Sequence, residues 1–433
     1  MASRATGSTD PVVVIGGGLA GMAAAARLAK VGHSVQLFEA TDRLGGAWAS
    51  YDFDGVPVDG APGVLGFPAP WRDLFRKSGR PLEAELARSG FALVPAAPAR
   101  YRFADGSELT LPADRGEQYE ALSTAYGEPA ATRWRDLVDS LDRVWQAIRP
   151  LGLESELRDR RQLKPVRATL QPRRSISWLA SQLSEPHLAA IVASTAHRLG
   201  SAPRRTPSWC AVELSVARTF GRWQIQSDRS PHESGRSSVL TDTLAGRLAL
   251  RKVDVQLDRA VSEVLIADGR VSGVRTLDGT QVPALAVIST VDPRQATEQL
   301  PTSVVDRAQR RRTRRASPAL APAISHRIDP RSDDDTGISE LVELSDAGVP
   351  TITYSRPLEN GTLHTVHDYA RASPDFGAGL AWHGFRSWLD RPPVTTSLPG
   401  FFSAGPCSPG GSAPSAVVLS GALASYGCHD YLA

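Results

Sequence analysis

The sequence predicts an α/β protein, in which a nucleotide-binding domain with a parallel sheet is joined to a second, α+β domain. An apolar run at 12–15 precedes a glycine-rich turn and an alanine-rich helix, which is the order of a buried parallel strand followed by its crossover. Strand and Asp-Gly turn signals return at 236–300, and a glycine turn before a small-residue helix follows at 398–433. A chain of 433 residues has room for about two or three domains.

The composition excludes several classes of protein. Hydrophobic residues make up 41% and charged residues 22%, which excludes a wholly disordered chain, and the net charge of +3 does not indicate a nucleic-acid binder. Three cysteines are too few for a disulfide framework. The first ten residues are polar, and no apolar run is long enough to span a membrane, so we expect a cytoplasmic protein.

The first turn carries the strongest motif. It reads Gly16-Gly17-Gly18-Leu19-Ala20-Gly21, which satisfies G-x-G-x-x-G. The first glycine permits a tight turn, the second lets backbone approach a pyrophosphate, and the third allows the helix to pack closely on the strand. Glu39 ends the second strand, where its carboxylate can accept both ribose hydroxyls of an adenosine. These features predict a Rossmann-type dinucleotide site.

A second element follows Glu39 directly. It reads Ala40-Thr41-Asp42-Arg43-Leu44-Gly45-Gly46-Ala47-Trp48. It resembles the D-R-x-G-G element of the FAD-binding amine oxidase and phytoene desaturase superfamily. The resemblance implies non-covalently bound FAD, with Arg43 at the pyrophosphate and Gly45 and Gly46 beside the ribityl chain. It also implies that Ala40, Ala47 and Trp48 lie at the cofactor.

Two later segments extend the resemblance. Val261 occupies the position at which relatives contact the adenine through backbone. The closing segment resembles the last FAD motif of phytoene-desaturase-like enzymes, with Gly405 near the ribityl phosphate. Its helix start, Ser415-Ala416-Val417, would direct amide N–H groups at the flavin. These segments predict an FAD-binding domain made of 1–70, 236–300 and 392–433, and a substrate-binding domain made of 71–235 and 301–391.

The substrate domain contains only weak catalytic candidates. His326, Arg327 and Tyr354 lie on predicted strands that match the cavity floor of relatives, although framework roles remain open for each. His364 and His367 are spaced so that a strand would place them on opposite faces, and no metal site is expected.

The resemblance implies hydride transfer from a small-molecule substrate to flavin N5, and it leaves three reactions open. Amine oxidases commonly carry an aromatic residue in the closing motif and a lysine after the strand at 285–290. Neither occurs here, at 412–414 or at 291–300. Both absences favour a dehydrogenase or desaturase acting on a small or extended, largely apolar substrate, in secondary metabolism. A flavin amine oxidase that forms an imine is the first alternative, and a redox-neutral flavin-dependent isomerase is the second.

An arginine-rich segment at 307–315 has three interpretations. It is a solvated helix face, a peripheral contact with an anionic membrane, or a site for an acidic substrate. Nucleic acid is disfavoured, because no aromatic residues are interleaved with the arginines. The sequence indicates neither the electron acceptor nor the oligomeric state.

Overall fold

The computed structural model describes residues 10–330 and 337–433. The strands are β1 (Val12–Ile15), β2 (Val35–Phe38), β3 (Ser50–Phe53), β4 (Val56–Asp59), β5 (Leu65–Gly66), β6 (Phe91–Pro95), β7 (Ala99–Phe103), β8 (Glu108–Leu111), β9 (Arg222–Ser227), β10 (Asp254–Gln256), β11 (Val261–Ala267), β12 (Arg270–Thr276), β13 (Gln281–Pro283), β14 (Ala286–Ser289), β15 (Pro318–Asp329), β16 (Ser339–Leu344), β17 (Pro350–Leu358), β18 (Gly361–Leu380) and β19 (Phe401–Ser403). The α-helices are α1 (Leu19–Lys30), α2 (Ala69–Ser78), α3 (Leu82–Arg88), α4 (Arg115–Tyr126), α5 (Glu128–Ile148), α6 (Arg167–Leu170), α7 (Ile176–Ala180), α8 (Pro186–Arg198), α9 (Glu213–Phe220), α10 (Ser238–Leu250), α11 (Pro293–Glu298), α12 (Arg307–Arg315), α13 (Arg386–Leu389) and α14 (Pro414–Leu432).

The nucleotide-binding part is built on a five-stranded parallel sheet. Its strand order is β10-β2-β1-β14-β19, and every neighbouring pair is parallel. All four residues of β1 and of β14 are buried, as expected for a sheet that is covered on both faces. The predicted α/β fold with a Rossmann-type sheet is therefore confirmed. Its strands come from all three segments predicted for this domain, whose exact boundaries stay a prediction.

Two helices far apart in the chain pack tightly on this sheet. Helix α1 buries nearly its whole length, and α14 lies against it. A Cβ on Gly421 of α14 would stand only 2.3 Å from the carbonyl oxygen of Ala20, so only glycine permits this approach. Gly21 is equally constrained, because a Cβ there would meet the Gly16 carbonyl oxygen at 2.0 Å. The small residues thus bring the two helix N-termini to one side of the sheet.

The second part contains a six-stranded mixed sheet with the order β15-β18-β17-β16-β7-β8. The face that we call the inner face carries side chains in register across the strands. Its members include Tyr101, Val342, Ile352, Tyr354, Thr365, His367, Ile324 and His326. Helices α5 and α8 and the buried core around them cover the β7–β17 end of this face. The end formed by β15 and β18 is left to face the nucleotide-binding part.

Smaller sheets connect the two parts. The Asp-Gly pair at 54–55 joins β3 and β4. The Asp-Gly pair at 268–269, inside the segment 236–300 in which such turns are predicted, joins β11 and β12 of an antiparallel three-stranded sheet with β13. Strands β5, β9 and β6 form another antiparallel sheet.

The sequence has helical hydrophobic patterns over 71–90, 115–149 and 175–199, and the structure divides each of them. Helix α2 ends before Gly79, which has φ +157°, and α3 starts only after Pro81. Gly127, with φ +84°, separates α4 from α5. A loop after Ala180 separates α7 from α8, which has Pro186 in its first turn. Positive φ values and prolines interrupt hydrophobic periodicities that continue across them. None of the helices described is long and apolar enough to cross a bilayer.

Candidate active site

The first glycine turn forms an open cradle at the start of α1. Gly16 has φ +102°, and a Cβ built on Gly18 would meet no atom within 4 Å. No side chain caps α1, and its first turn has no acidic residue. The amides of Ala20 and Gly21 have no partner among the residues described. Free amides, the helix dipole and the missing Cβ make this turn a site for phosphate groups.

A second glycine loop lies against the first. The Gly45 amide donates to the Gly17 carbonyl oxygen at 2.8 Å, and a Cβ on Gly46 would stand 3.3 Å from Gly18 Cα. Gly45 and Gly46 both have positive φ, at +108° and +57°. The two loops therefore form one cleft. Its wall continues through Ala47, which is exposed.

Trp48 closes the base of this wall. Its ring is buried and lies 6.0 Å from the ring of Trp71, and its carbonyl oxygen accepts a hydrogen bond from Thr241. The side chain thus supports the loop from behind, and only the backbone is available to a cofactor.

Glu39 lies at the edge of the cleft, at the carboxyl end of β2. Its Oε2 accepts from the Gly17 amide at 2.6 Å, and its Oε1 accepts from both the amide and the hydroxyl of Thr41 at 2.9 Å. These bonds hold the carboxylate beside the glycine turn, where a ribose would follow the phosphates. Ala40 next to it is exposed at the same edge.

Val261 lies near this end of the cleft. The Arg259 amide donates to the Glu39 carbonyl oxygen at 2.8 Å, which ties the segment before Val261 to the end of β2. The Val261 carbonyl oxygen already accepts from Gln299 Nε2 at 2.8 Å. Its predicted backbone contact with an adenine stays a prediction.

Arg43 is turned away from the glycine loops. Its guanidinium pairs with Asp42 at 2.8 Å and donates to the Ser50 carbonyl oxygen at 3.3 Å. Half of the side chain is exposed, so it is free to change rotamer. The structure does not place it at the phosphates, and its predicted pyrophosphate contact stays a prediction.

The closing motif supplies a second free helix N-terminus. Gly405 has φ +115° and donates its amide to Ser420 of α14 at 2.9 Å. Of the three residues predicted to direct amides at the flavin, Val417 already donates to Ala413 at 2.9 Å inside the helix. The amides of Ser415 and Ala416 have no partner in the described part of the chain.

The helix starts one residue earlier than predicted, at Pro414, and this shift is the reason that only two of the three amides are free.

The start of α14 is fixed to an aromatic wall. The Ser415 hydroxyl donates to the Phe67 carbonyl oxygen at 2.7 Å. The Phe67 ring contacts Trp145 and Phe220, with centroid distances of 5.0 and 4.8 Å. The free amides therefore lie beside a group of aromatic side chains.

The inner face of the six-stranded sheet supplies the opposite wall. His326 and Tyr354 share this face, because both pair with Thr365. Arg327 lies on the other face, where it is exposed and pairs with Asp329 at 3.1 Å. The structure therefore brings two of the three catalytic candidates to the cavity side and leaves Arg327 outside.

His326 is held by neighbours that the sequence did not reveal. Its Nε2 is hydrogen-bonded to the Tyr51 hydroxyl, and its Nδ1 lies 3.0 Å from Thr365 Oγ1. Burial lowers the pKa of His326, so the imidazole is neutral near pH 7. A Cβ on Gly60 would lie 3.7 Å from Tyr51 Cε1 and 3.8 Å from Ile324 Cδ1, which places this group beside the second glycine loop.

Tyr354 and His367, which are both buried, contact each other on the inner face. Their rings are 5.2 Å apart and perpendicular. Burial raises the pKa of Tyr354 to about 12 and lowers that of His367 to about 4, so both are neutral over the physiological range. His364 lies on the outer face and contacts Ser355, as the predicted alternation requires. In the described ranges, no three His, Cys, Asp or Glu side chains are grouped closely enough to bind a metal ion.

Comparisons with known proteins agree with this geometry. The profile of the family described as "Flavin containing amine oxidoreductase" matches residues 19–319. A phytoene desaturase (neurosporene-forming) of Rhodobacter capsulatus is 27% identical over 296 residues, which is 67% of this chain and 54% of that protein. The chain thus matches little more than half the length of this curated relative.

Solved structures show the same fold. Putrescine oxidase bound to putrescine superposes with a TM-score of 0.68 at 16% identity, over 97% of this chain and 98% of the other. Cyclohexylamine oxidase from Brevibacterium oxydans gives 0.64 at 17% identity, over 97% and 99%. The predicted superfamily and the flavin cofactor are confirmed, and the glycine cradle, the carboxylate and the free helix N-termini fit FAD. The chain belongs to the family of flavin-containing amine oxidoreductases.

Proposed function

We propose that the protein is an FAD-dependent dehydrogenase or desaturase that oxidises a C–H bond of a largely apolar organic substrate. The observation that carries this proposal is the lining of the cavity wall on β15. Ile324 and Ile328 are exposed and lie on the same side of β15 as His326. A Cβ on Gly60 would lie 3.8 Å from both Ile324 Cδ1 and the Ala47 carbonyl oxygen, so Ile324 lies beside the second glycine loop. Large exposed apolar side chains that face a cofactor cleft favour an apolar substrate over a small polar one.

The residues present suit this chemistry. Bound FAD supplies a ring that accepts hydride. The free amides of Ser415 and Ala416 and the dipole of α14 would stabilise negative charge on that ring. The aromatic residues around Phe67 give that side of the site an apolar lining. Neutral His326 can accept a proton at Nε2 from the Tyr51 hydroxyl, which takes up a proton from the substrate in the same step. This role of His326 is a proposal, since hydride transfer does not require a protein base.

The relatives support the dehydrogenase branch. The relative from Rhodobacter capsulatus is named for desaturation, and a phytoene dehydrogenase of Streptomyces griseus is 36% identical over 141 residues. The oxidised bond in this protein, its place in secondary metabolism and its substrate are proposals.

An anaerobic reduction experiment tests the function. The purified protein should carry FAD that is released by denaturation, which also tests the non-covalent assignment. Polyene precursors in detergent micelles and primary alkyl amines are mixed with it separately without oxygen. Bleaching of the visible flavin band by the hydrocarbons, with a product that has gained a double bond, supports the proposal. Bleaching by amines alone, with imine or aldehyde formed, would assign an amine oxidase. Turnover without net reduction would assign an isomerase.

Contact of the 307–315 segment with an anionic membrane is a separate proposal. Helix α12 has no buried residue, and it carries six arginines without a large apolar side chain, so any contact is electrostatic. Sedimentation with phosphatidylserine vesicles tests this. We expect binding that disappears above about 0.5 M salt, where the Debye length falls toward about 3 Å. Equal sedimentation with neutral phosphatidylcholine vesicles would contradict it.

A further inference from the structure

Arg391 is a buried cation that contacts the closing loop, which we define as residues 405–411. Only 3% of the residue is exposed. Its Nη2 donates to the Leu380 carbonyl oxygen at 2.7 Å, and its Nη1 donates to the Ser408 carbonyl oxygen at 3.4 Å. Its Cζ lies 4.2 Å from the centre of the Trp382 ring. Protein groups therefore enclose the guanidinium, and none of these groups is negatively charged.

A second buried arginine shows how Arg391 differs from an ordinary one. Arg247 on α10 also donates to backbone carbonyl oxygens, but it forms an ion pair with Glu85 at 2.9 Å. Arg391 pairs with no carboxylate in residues 10–330 and 337–433, and its Nε is buried there without a hydrogen-bond partner. Removing a charge from water without a counter-charge is costly, so a gain in stability does not account for Arg391.

Arg391 keeps its charge in this environment. Burial lowers its pKa to about 10, which leaves the guanidinium protonated at pH 7. The thiols of Cys407 and Cys210 are the titratable groups that act on it, and burial raises the pKa of both. Both thiols are uncharged near neutral pH, and they therefore do not balance the cation.

The closing loop connects Arg391 to the start of α14. The Ser408 amide donates to the Gly405 carbonyl oxygen at 3.0 Å, so Arg391 binds the turn that begins at Gly405. Gly410 follows two residues after Ser408, which is at most about 7.6 Å between Cα atoms. A Cβ on Gly410 would lie 3.7 Å from Ala416 Cβ. Because Ala416 carries one of the two free amides of α14, the cation lies close to the part of the chain that fits the flavin.

Hydride transfer changes the charge of the cofactor. The ring gains two electrons and one proton, so it carries one more negative charge after reduction than before. Positive charge that is fixed nearby, in surroundings of low polarity, stabilises the reduced ring more than the oxidised ring.

We propose that Arg391 is a positioning residue for the reduction of bound FAD. It holds the closing loop at Ser408, and its unpaired charge acts together with the dipole of α14 to favour the reduced ring. Because protein groups enclose it, Arg391 acts through the loop and through its electric field rather than by contact with the cofactor. The inference goes beyond the proposed function, since it holds for any substrate that reduces the flavin.

The reduction potential of bound FAD tests the proposal, because it reports the ratio of the Kd of oxidised FAD to that of reduced FAD. The holoprotein is reduced slowly without oxygen beside a reference dye, and both spectra are recorded at equilibrium. Arg391→Gln keeps hydrogen-bond donors but removes the charge. We expect it to lower this ratio about tenfold, which is about 30 mV for a two-electron couple. Arg391→Lys keeps the charge, and its ratio should stay within about threefold of the parent's.

Arg247→Gln is the matched control, because Arg247 is also buried and also binds carbonyl oxygens. It should lower the thermal midpoint and leave the potential unchanged. Arg391→Met is a second variant without the charge, to be used if Arg391→Gln does not fold. If Arg391 only anchors the loop, its variants would weaken the binding of both forms of FAD equally and leave the potential unchanged, which overturns the proposal. Equal shifts for Arg391→Gln and Arg391→Lys would also overturn it, because the charge would then have no effect.

Discussion

Glu39→Ala should weaken FAD binding by an amount that the hydrogen bonds at this carboxylate set. A carboxylate offers about four lone-pair positions, and three are used by Gly17 and Thr41. One position on Oε2 is free. A second becomes free if the Thr41 hydroxyl turns to the Arg43 carbonyl oxygen, which lies 3.1 Å away. A ribose can therefore make one or two bonds to a charged acceptor, each contributing about 1.5–3 kcal/mol.

If the ribose makes one hydrogen bond to Glu39, its loss in Glu39→Ala should raise the Kd for FAD by about 10- to 150-fold. If the ribose makes two, the Kd should rise further. The assay is titration of the apoprotein with FAD, followed by quenching of flavin fluorescence. Glu39→Gln should show a smaller loss, because it keeps one oxygen acceptor. Glu263→Ala is the control, since Glu263 on β11 forms an ion pair with Arg275 on β12. A Kd for folded Glu39→Ala within twofold of the parent would refute the assignment of Glu39 to the ribose.

Two further predictions concern stability. Gly421→Ala places a methyl group 2.3 Å from the Ala20 carbonyl oxygen, so we expect a loss of about 1–3 kcal/mol and weaker FAD retention. Gly246→Ala on α10 meets open space and should raise the thermal midpoint; equal effects of the two changes would contradict the packing argument. Hydrogen bonds from Arg115 and Arg218 lower the pKa of Asp139, so its contribution to stability is present above about pH 4 and is lost as the pH falls through the lowered value. Asp139→Asn should therefore lower the free energy of unfolding by about 1 kcal/mol at pH 7, after solvent screening, and by progressively less as the pH falls below about 4; an effect independent of pH would refute this.

The cofactor half of the site could be predicted because its signals are local. Gly16 and Gly18 lie within one turn, and that turn has the same geometry wherever a strand feeds a helix in this way. Glu39 follows from the end of the next strand. The start of α14 was predicted one residue late, since Pro414 fits the first helical position and reads equally well as part of a loop.

The substrate half could not be predicted, because its contacts depend on register. Tyr51 meets His326 only after β3 and β15 have been placed, and β15 pairs with β18 across a bulge between Ala321 and Ala323. A shift of one residue would exchange His326 for Arg327 on the inner face. The strand signal in the sequence covers only 362–366, whereas β18 is 20 residues long, because its distal half is largely exposed and lacks the apolar alternation by which strands are recognised.

The packing of α14 on α1 has a consequence for biosynthesis. The central strand β1 pairs with β14, and β14 in turn pairs with β19, so the sheet cannot be completed until the ribosome has translated beyond Ser403, and α14 emerges later still. Such high contact order slows folding, and it leaves the nascent amino-terminal strands and the apolar face of the first helix dependent on chaperones. Cofactor capture is therefore a post-translational event, and riboflavin supply during expression should govern the yield of native protein.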